Sequence, residues 1–161
     1  MKKNIYKNKK NIYKKIIVKN KKIYYKYDLI EEYISGIKLF GSEVKSLRLN
    51  KANISEAFCQ IQNGEIFVFN LHIPNYSFNK NFIISTKRKR KLLLKKKEII
   101  KIYKKIKKFK LTIAVKKIFF SKIGLVKLNI CLVKGKKIYD KRETIKKKEL
   151  NIFLNRNFKK K

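Results

Sequence analysis

The stretch ISEAFCQIQNGEIFVFNLHI, residues 54–73, sets two runs rich in β-branched and aromatic residues on either side of Asn63-Gly64. An Asn-Gly pair in that setting predicts a β-hairpin, because a two-residue type I′ turn needs positive φ at both central positions. Pro74 then ends the second run's usable pairing, since proline has no N–H to give to a ladder.

The same logic finds a second hairpin downstream, LTIAVKKIFF and IGLVKLNICLV meeting at the SKIG turn of residues 121–124. In its later strand Val126, Leu128, Ile130 and Leu132 share one face, which sends Lys127 and Asn129 to the other. Upstream, Ile23, Tyr25, Tyr27, Leu29 and Tyr33 alternate with Lys26, Asp28 and Glu32, a half-buried strand that Gly36 is expected to break. GSEVKSLR (41–48) predicts a short helix, with Ser42 as N-cap and Glu43 near the positive helix end. A longer helix is expected over about 95–109, where Ile99, Ile102, Tyr103, Ile106 and Phe109 fall on one face and lysines on the other. Residues 75–90 read as a loop that finishes in the basic KRKRK.

At least five short antiparallel strands in one small domain favour closure, which removes exposed edges. The expected fold is mainly β with added helices: a small antiparallel oligonucleotide-binding-like (OB-fold) barrel over 20–137. Flexible basic tails flank it, a disordered arm at 1–19 and a tail at 138–161.

The chain of 161 residues carries 46 Lys+Arg against 10 Asp+Glu, a formal net charge of +36 that favours polyanionic partners. Lysine enrichment together with abundant Ile, Asn, Tyr and Phe is also the mark of an A+T-rich coding sequence, so the distribution says more than the total. Residues 23–86 hold six basic and six acidic residues, whereas 87–110 hold fourteen and one. Codon bias should act everywhere, so this contrast points to binding. Against that lysine background Arg48, Arg88, Arg90, Arg142 and Arg156 mark places where a planar, forked donor suits phosphate or base edges.

Catalysis finds little support. His72 is the only histidine, the adjacent Glu31 and Glu32 point to opposite strand faces, and the five glycines are dispersed rather than gathered in a phosphate loop. Cys59 and Cys131 lack metal-ligand spacing and read as free core thiols. No cofactor or metal is expected. No apolar run reaches the roughly 18 residues of a spanning helix, and no apolar stretch suits a signal peptide, so the expectation is a cytoplasmic protein without membrane contact.

Four motifs, in order, carry a family resemblance: GSEVKSLRLNKANISEAF (41–58), NGEIFVFNLHI (63–73), RKLLLKKKEI (90–99) and GKKIYDKRETIK (135–146). Together they resemble the SsrA-binding protein (small protein B) family of bacterial trans-translation, from about Asn20 to about Lys148. The resemblance implies an oligonucleotide-binding barrel without catalytic activity or cofactor. It would bind the tRNA-like domain of transfer-messenger RNA and deliver that RNA to stalled ribosomes, with the small-subunit decoding centre and messenger channel as further partners and the protein a monomer.

By motif, Glu43, Lys45, Arg48, Lys51 and Asn53 become RNA-side or RNA-supporting candidates, Glu43 by orienting a basic neighbour or accepting from a base or ribose group. Arg88, Arg90, Lys91, Leu93, Lys127, Lys136 and Lys137 join them. Tyr139, Asp140, Lys141 and Arg142 would lie near the decoding centre, Tyr139 replacing a frequent histidine. The tail beyond would be unstructured in solution and helical in the messenger channel, and Leu150, Phe153, Leu154 and Phe158 recur at helical spacing. Two positions depart from the family pattern: Ile34 where an acid is common, and Lys95 where Asn or His is frequent. A ribosomal protein, or another translation-associated RNA binder with a barrel body and basic tails, is the alternative.

Overall fold

The computed structural model describes residues 13–76 and 84–158, with the side chains of 13, 14, 138–140, 144, 148 and 155–158 left aside. In chain order the elements are β1 (Tyr13–Lys19), α1 (Ile23–Lys26), β2 (Tyr27–Ile37), α2 (Gly41–Arg48), β3 (Phe58–Gln62), β4 (Glu65–Phe69), β5 (Arg90–Leu93), α3 (Lys96–Phe109), β6 (Thr112–Ser121), β7 (Val126–Gly135) and α4 (Ile138–Phe158).

Strand order β6-β3-β4-β5-β2-β7 closes through a β6–β7 pairing, so the expected antiparallel barrel forms. Both predicted hairpins are present. Asn63 and Gly64 take φ of 50° and 74°, the left-handed pair that the β3–β4 turn requires. Ile66, Val68, Leu92, Ile113, Val115, Ile118, Leu128, Ile130 and Leu132 fill the interior, and Ile99 and Ile102 bring α3 onto it. Cys59 and Cys131 are free and buried, as expected, and burial pushes the Cys59 thiol well up.

The arm is the first correction. Residues 1–12 lie outside the described residues, but 13–19 form β1, which shares an edge of β6 with β3: β3 pairs with Ile113 and Ala114, β1 with Lys117–Ser121. The low-complexity reading failed because Ile17 and Val18 pack against the core, a tertiary reward that composition does not display.

The second correction concerns residues 23–26, expected as strand and found as the single turn α1. That turn tucks Ile23, 1% exposed, into a small outer cluster with Ala114, Cys131 and Val133. Asn20 sets the entry, its N–H bonding Lys116 O at 2.8 Å while its Oδ1 accepts from Lys22 N at 3.1 Å. A β-bulge between Leu29 and Glu31 then inverts the side-chain parity of β2. Tyr27 and Leu29 therefore pack on the outer cluster, whereas Tyr33 packs on the main core. Glu31 and Glu32 do face apart: Glu31 pairs with Lys101 and Lys105 of α3, Glu32 with Lys116 and Asn129. Asn129 is on the expected face but 1% exposed, covered with the outer cluster rather than open to solvent.

Three further differences are local. Ser42 is not the N-cap of α2; Phe40 is, and its N–H donates to Glu43 Oε2 at 2.8 Å. Tyr103 and Phe109 are 44% and 55% exposed, so the buried face of α3 narrows to Ile99 and Ile102 with Ile106 at its margin. Of the expected loop, 77–83 lie outside the described residues, and its end becomes strand at Arg90.

The tail expected to be disordered when free is a helix in this structure, α4, with 159–161 outside the described residues. A proline-free run rich in Leu, Ile, Lys, Arg and Glu has the propensity for it. Its expected apolar stripe does not dominate, because Ile145 and Ile152 sit on a different face from Leu150 and Leu154. All four are at least 40% exposed.

Candidate RNA interface

The sequence-distant candidates meet where β2 runs out. Gly36 does not break β2; it pairs with Leu93 of β5 on one side and Lys127 of β7 on the other. Residues opposite one another in antiparallel strands project from the same face, so Leu93 and Lys127 flank a bare stretch of backbone. A Cβ at Gly36 would come within 3.2 Å of Leu93 Cβ, so the glycine is what permits the close approach. Leu93 is held there 55% exposed, an apolar side chain presented to solvent next to a lysine.

α2 stands at this same end, since β2 feeds directly into it. Glu43, 5% exposed, accepts from Arg88 Nε (3.0 Å) and Nη2 (2.5 Å) and from Arg90 Nε (2.8 Å). Burial raises the Glu43 pKa, but the bonds from Arg88, the Phe40 N–H and Arg90 outweigh it and hold the carboxyl below the usual carboxylate range. The Arg90 pKa is lowered by burial against the opposing pull of Glu43.

Arg90 is a correction to the expected RNA contacts. Its side chain is fully buried, and beyond Glu43 its guanidinium donates to Leu71 O, Arg88 O and Thr86 O at 2.5, 3.0 and 2.9 Å. It has become an internal strut. Arg88, 23% exposed in its side chain, keeps one surface open and lies over the Phe40 ring, 4.3 Å from the centroid.

The remaining candidates divide by place. Lys45 and Lys51 are exposed, and the Lys45 ammonium lies 5.5 Å above the Tyr76 ring. Arg48 lines a shallow cavity of about 310 Å³ with Lys15, Phe120 and Gly124. Asn53 is tied down locally: its Oδ1 accepts from Ser55 N at 2.9 Å, and its backbone bridges to His72. Lys91 is paired with Glu65.

Lys136 and Lys137 lie at the far end of β7, about 30 Å from Lys127 at ~3.3 Å per residue. Lys136 is mainly a closure residue: its side chain is 14% exposed, with Nζ 3.5 Å from Asp28, and its N–H donates to Lys26 O. Lys137 is exposed. Lys141 N donates to Lys137 O, which starts α4 directly from the barrel, and Arg142 is exposed. The side chains of Tyr139 and Asp140 lie outside the described residues.

Three contributors went unrecognised in the sequence. Phe40, Tyr76 and Phe67 each carry a cation over the ring, from Arg88, Lys45 and Lys89. Phe40 between Lys38 and Lys45 was visible in KLFGSEVK, but each ring takes its cation from a distant segment. Lys15 reached the cavity only because β1 formed.

The SmpB protein family model matches residues 17–160. The SsrA-binding protein of Thermosipho africanus (strain TCF52B) is 48% identical over 141 residues, covering 88% of this chain and 95% of that protein. That of Thermosipho melanesiensis (strain DSM 12029 / CIP 104789 / BI429) is 50% identical over 137 residues, covering 85% and 93%. A solved structure described as "tmRNA-SmpB: a journey to the center of the bacterial ribosome" is 34% identical, with a TM-score of 0.65 over 80% of this chain and 93% of that one. Running from β1 through α4, and joined to relatives of nearly its own length, this chain belongs to the SmpB protein family.

Proposed function

We propose that this protein binds the tRNA-like domain of transfer-messenger RNA through the α2 end of its barrel and delivers that RNA to stalled ribosomes. The observation that carries this reading is the meeting of Leu93, Gly36 and Lys127 from three strands, beside an α2 whose buried Glu43 fixes Arg88. Such a surface offers charge for phosphates, apolar and aromatic faces for bases, and bare backbone for close approach. No catalytic step is required of it, and its place of work is the cytoplasm. Among the described residues no helix is long and apolar enough to cross a membrane.

Relatives named SsrA-binding protein and a structural relative named with tmRNA and the ribosome support the assignment. α4 then serves as the ribosome-facing element, with Tyr139–Arg142 at its start. The test is a binding titration with tRNA-like-domain RNA and an ordinary RNA hairpin. We expect nanomolar-range affinity for the former, weakened by salt as phosphate contacts require. Equal affinity for both RNAs at physiological salt would overturn the specific claim in favour of a general RNA binder.

A further inference from the structure

Arg88 lies over the Phe40 ring at the start of α2, its guanidinium carbon 4.3 Å from the ring centroid. Phe40 is extended (φ −81°, ψ 158°), 52% exposed, and fixed through its N–H to Glu43 Oε2. The edge of the Arg88 guanidinium is already committed, Nε and Nη2 to Glu43 and Nη1 to Lys89 O at 3.4 Å. An arginine that grips phosphate presents its fork outward. This one turns its fork into a buried carboxylate and sets its guanidinium carbon over an aromatic ring, so what it offers is a held cation–aromatic pair rather than a hydrogen-bonding edge.

The surroundings specify the ligand. Ser46 Oγ donates to Pro74 O at 2.7 Å and holds the Tyr76 segment against α2, where Lys45 covers the Tyr76 ring. Lys89 lies over Phe67, 5.5 Å from its centroid. Aromatic planes with ammonium groups beside them match a polyanionic chain whose bases are splayed out. A duplex keeps its base faces stacked and hidden, so it satisfies the lysines and leaves the rings unused.

We propose that the Phe40–Arg88 pair is a base-stacking platform that receives one unstacked nucleobase from a single-stranded loop of the bound RNA, with neighbouring lysines taking its phosphates. This rests on the RNA-binding reading above and adds which part of the RNA is held there. Phe40 supplies the stacking face, Arg88 backs it, and Glu43 is a positioning residue that orients both.

The chain contains no tryptophan, so Phe40→Trp introduces a single indole at the platform. The probes are tRNA-like-domain RNA and a blunt RNA duplex, with total binding followed separately by anisotropy of labelled RNA. The loop-containing RNA should quench indole emission with the same midpoint as the anisotropy, and the duplex should bind without quenching. Phe40→Leu should weaken binding of the loop-containing RNA about tenfold while leaving the salt slope unchanged, because it removes a stacking face and no charge. Phe40→Trp keeps an aromatic face and serves as the reporter, its own affinity read from the same anisotropy titration. Full binding with unmoved emission, or an unweakened Phe40→Leu, refutes the platform while the RNA-binding reading stands. Failure of the unaltered protein to bind either RNA removes both.

Discussion

The α2 end of the barrel and the α4 helix carry the same kind of charge in opposite ways. Around α2 the arginines are arranged by a buried acid: Glu43 holds Arg88 and Arg90, and their remaining donors are largely spent on backbone carbonyls. Along α4 the described side chains are exposed apart from the half-buried Lys141. The first is a preorganised surface that loses little freedom when a ligand docks. The second is a helix whose described side chains stand open to solvent with few fixed partners on the barrel, and the two demand different experiments.

The largest expected effect follows from removing α4. Deleting residues 140–161 should leave the affinity for tRNA-like-domain RNA unchanged, with barrel stability altered by no more than about 1 kcal/mol. Tagging on stalled ribosomes, measured in a reconstituted translation system, should be abolished. Loss of RNA affinity in the same variant would break the comparison, because α4 would then belong to the first surface.

Removing the organising acid tests the other side. Glu43→Ala strands two guanidinium groups, one fully buried, and breaking a buried pair costs on the order of 3–5 kcal/mol. Denaturant unfolding should show that loss, and RNA affinity should fall as Arg88 is released. The same group gives a pH signature. A carboxyl whose folded pKa is depressed contributes stability present above its unfolded value of about 4.3, lost as pH falls through the folded pKa. The unaltered protein should therefore lose stability on acidification below that value more steeply than Glu43→Gln, read by thermal melting across an acid series. Parallel curves would mean that the acid is not the organiser.

These contrasts also explain what the sequence disclosed. Local chemistry was readable: Asn63-Gly64 demanded its hairpin, and the apolar spacing around Ile99 and Ile102 demanded its helix. Pairing across the chain was not. β1 looked like a basic arm because Ile16, Ile17 and Val18 acquire meaning only beside Phe119 and Ile118 of β6. Arg90 looked like an RNA contact because its three carbonyl acceptors come from the backbone, which has no sequence signature. The bulge after Leu29 was equally hidden, although it reverses which side of β2 meets the core. Motif resemblance located the correct neighbourhood; it could not say which charges were already spent.

A smaller effect probes how finely the preorganised end is fitted. Gly36 has an ordinary backbone conformation, so its role is space alone: an added Cβ would meet Leu93 Cβ at 3.2 Å and Cδ1 at 3.3 Å. Leu93 is 55% exposed and can swing its δ-carbons, but its Cβ is fixed by strand pairing with Gly36 itself. The strain must then enter the β2–β5 ladder, at roughly the lower end of the 1–3 kcal/mol typical of overpacking. Gly36→Ala should cost about 1 kcal/mol in denaturant unfolding, and RNA affinity should drop further than stability does, because Leu93 and Lys127 separate across the widened row. Leu93→Gly in the same chain relieves the clash, so the double variant should regain the stability lost to Gly36→Ala without regaining affinity. Recovery of both would make the row a packing detail, and recovery of neither would place the function of Gly36 in its bare backbone.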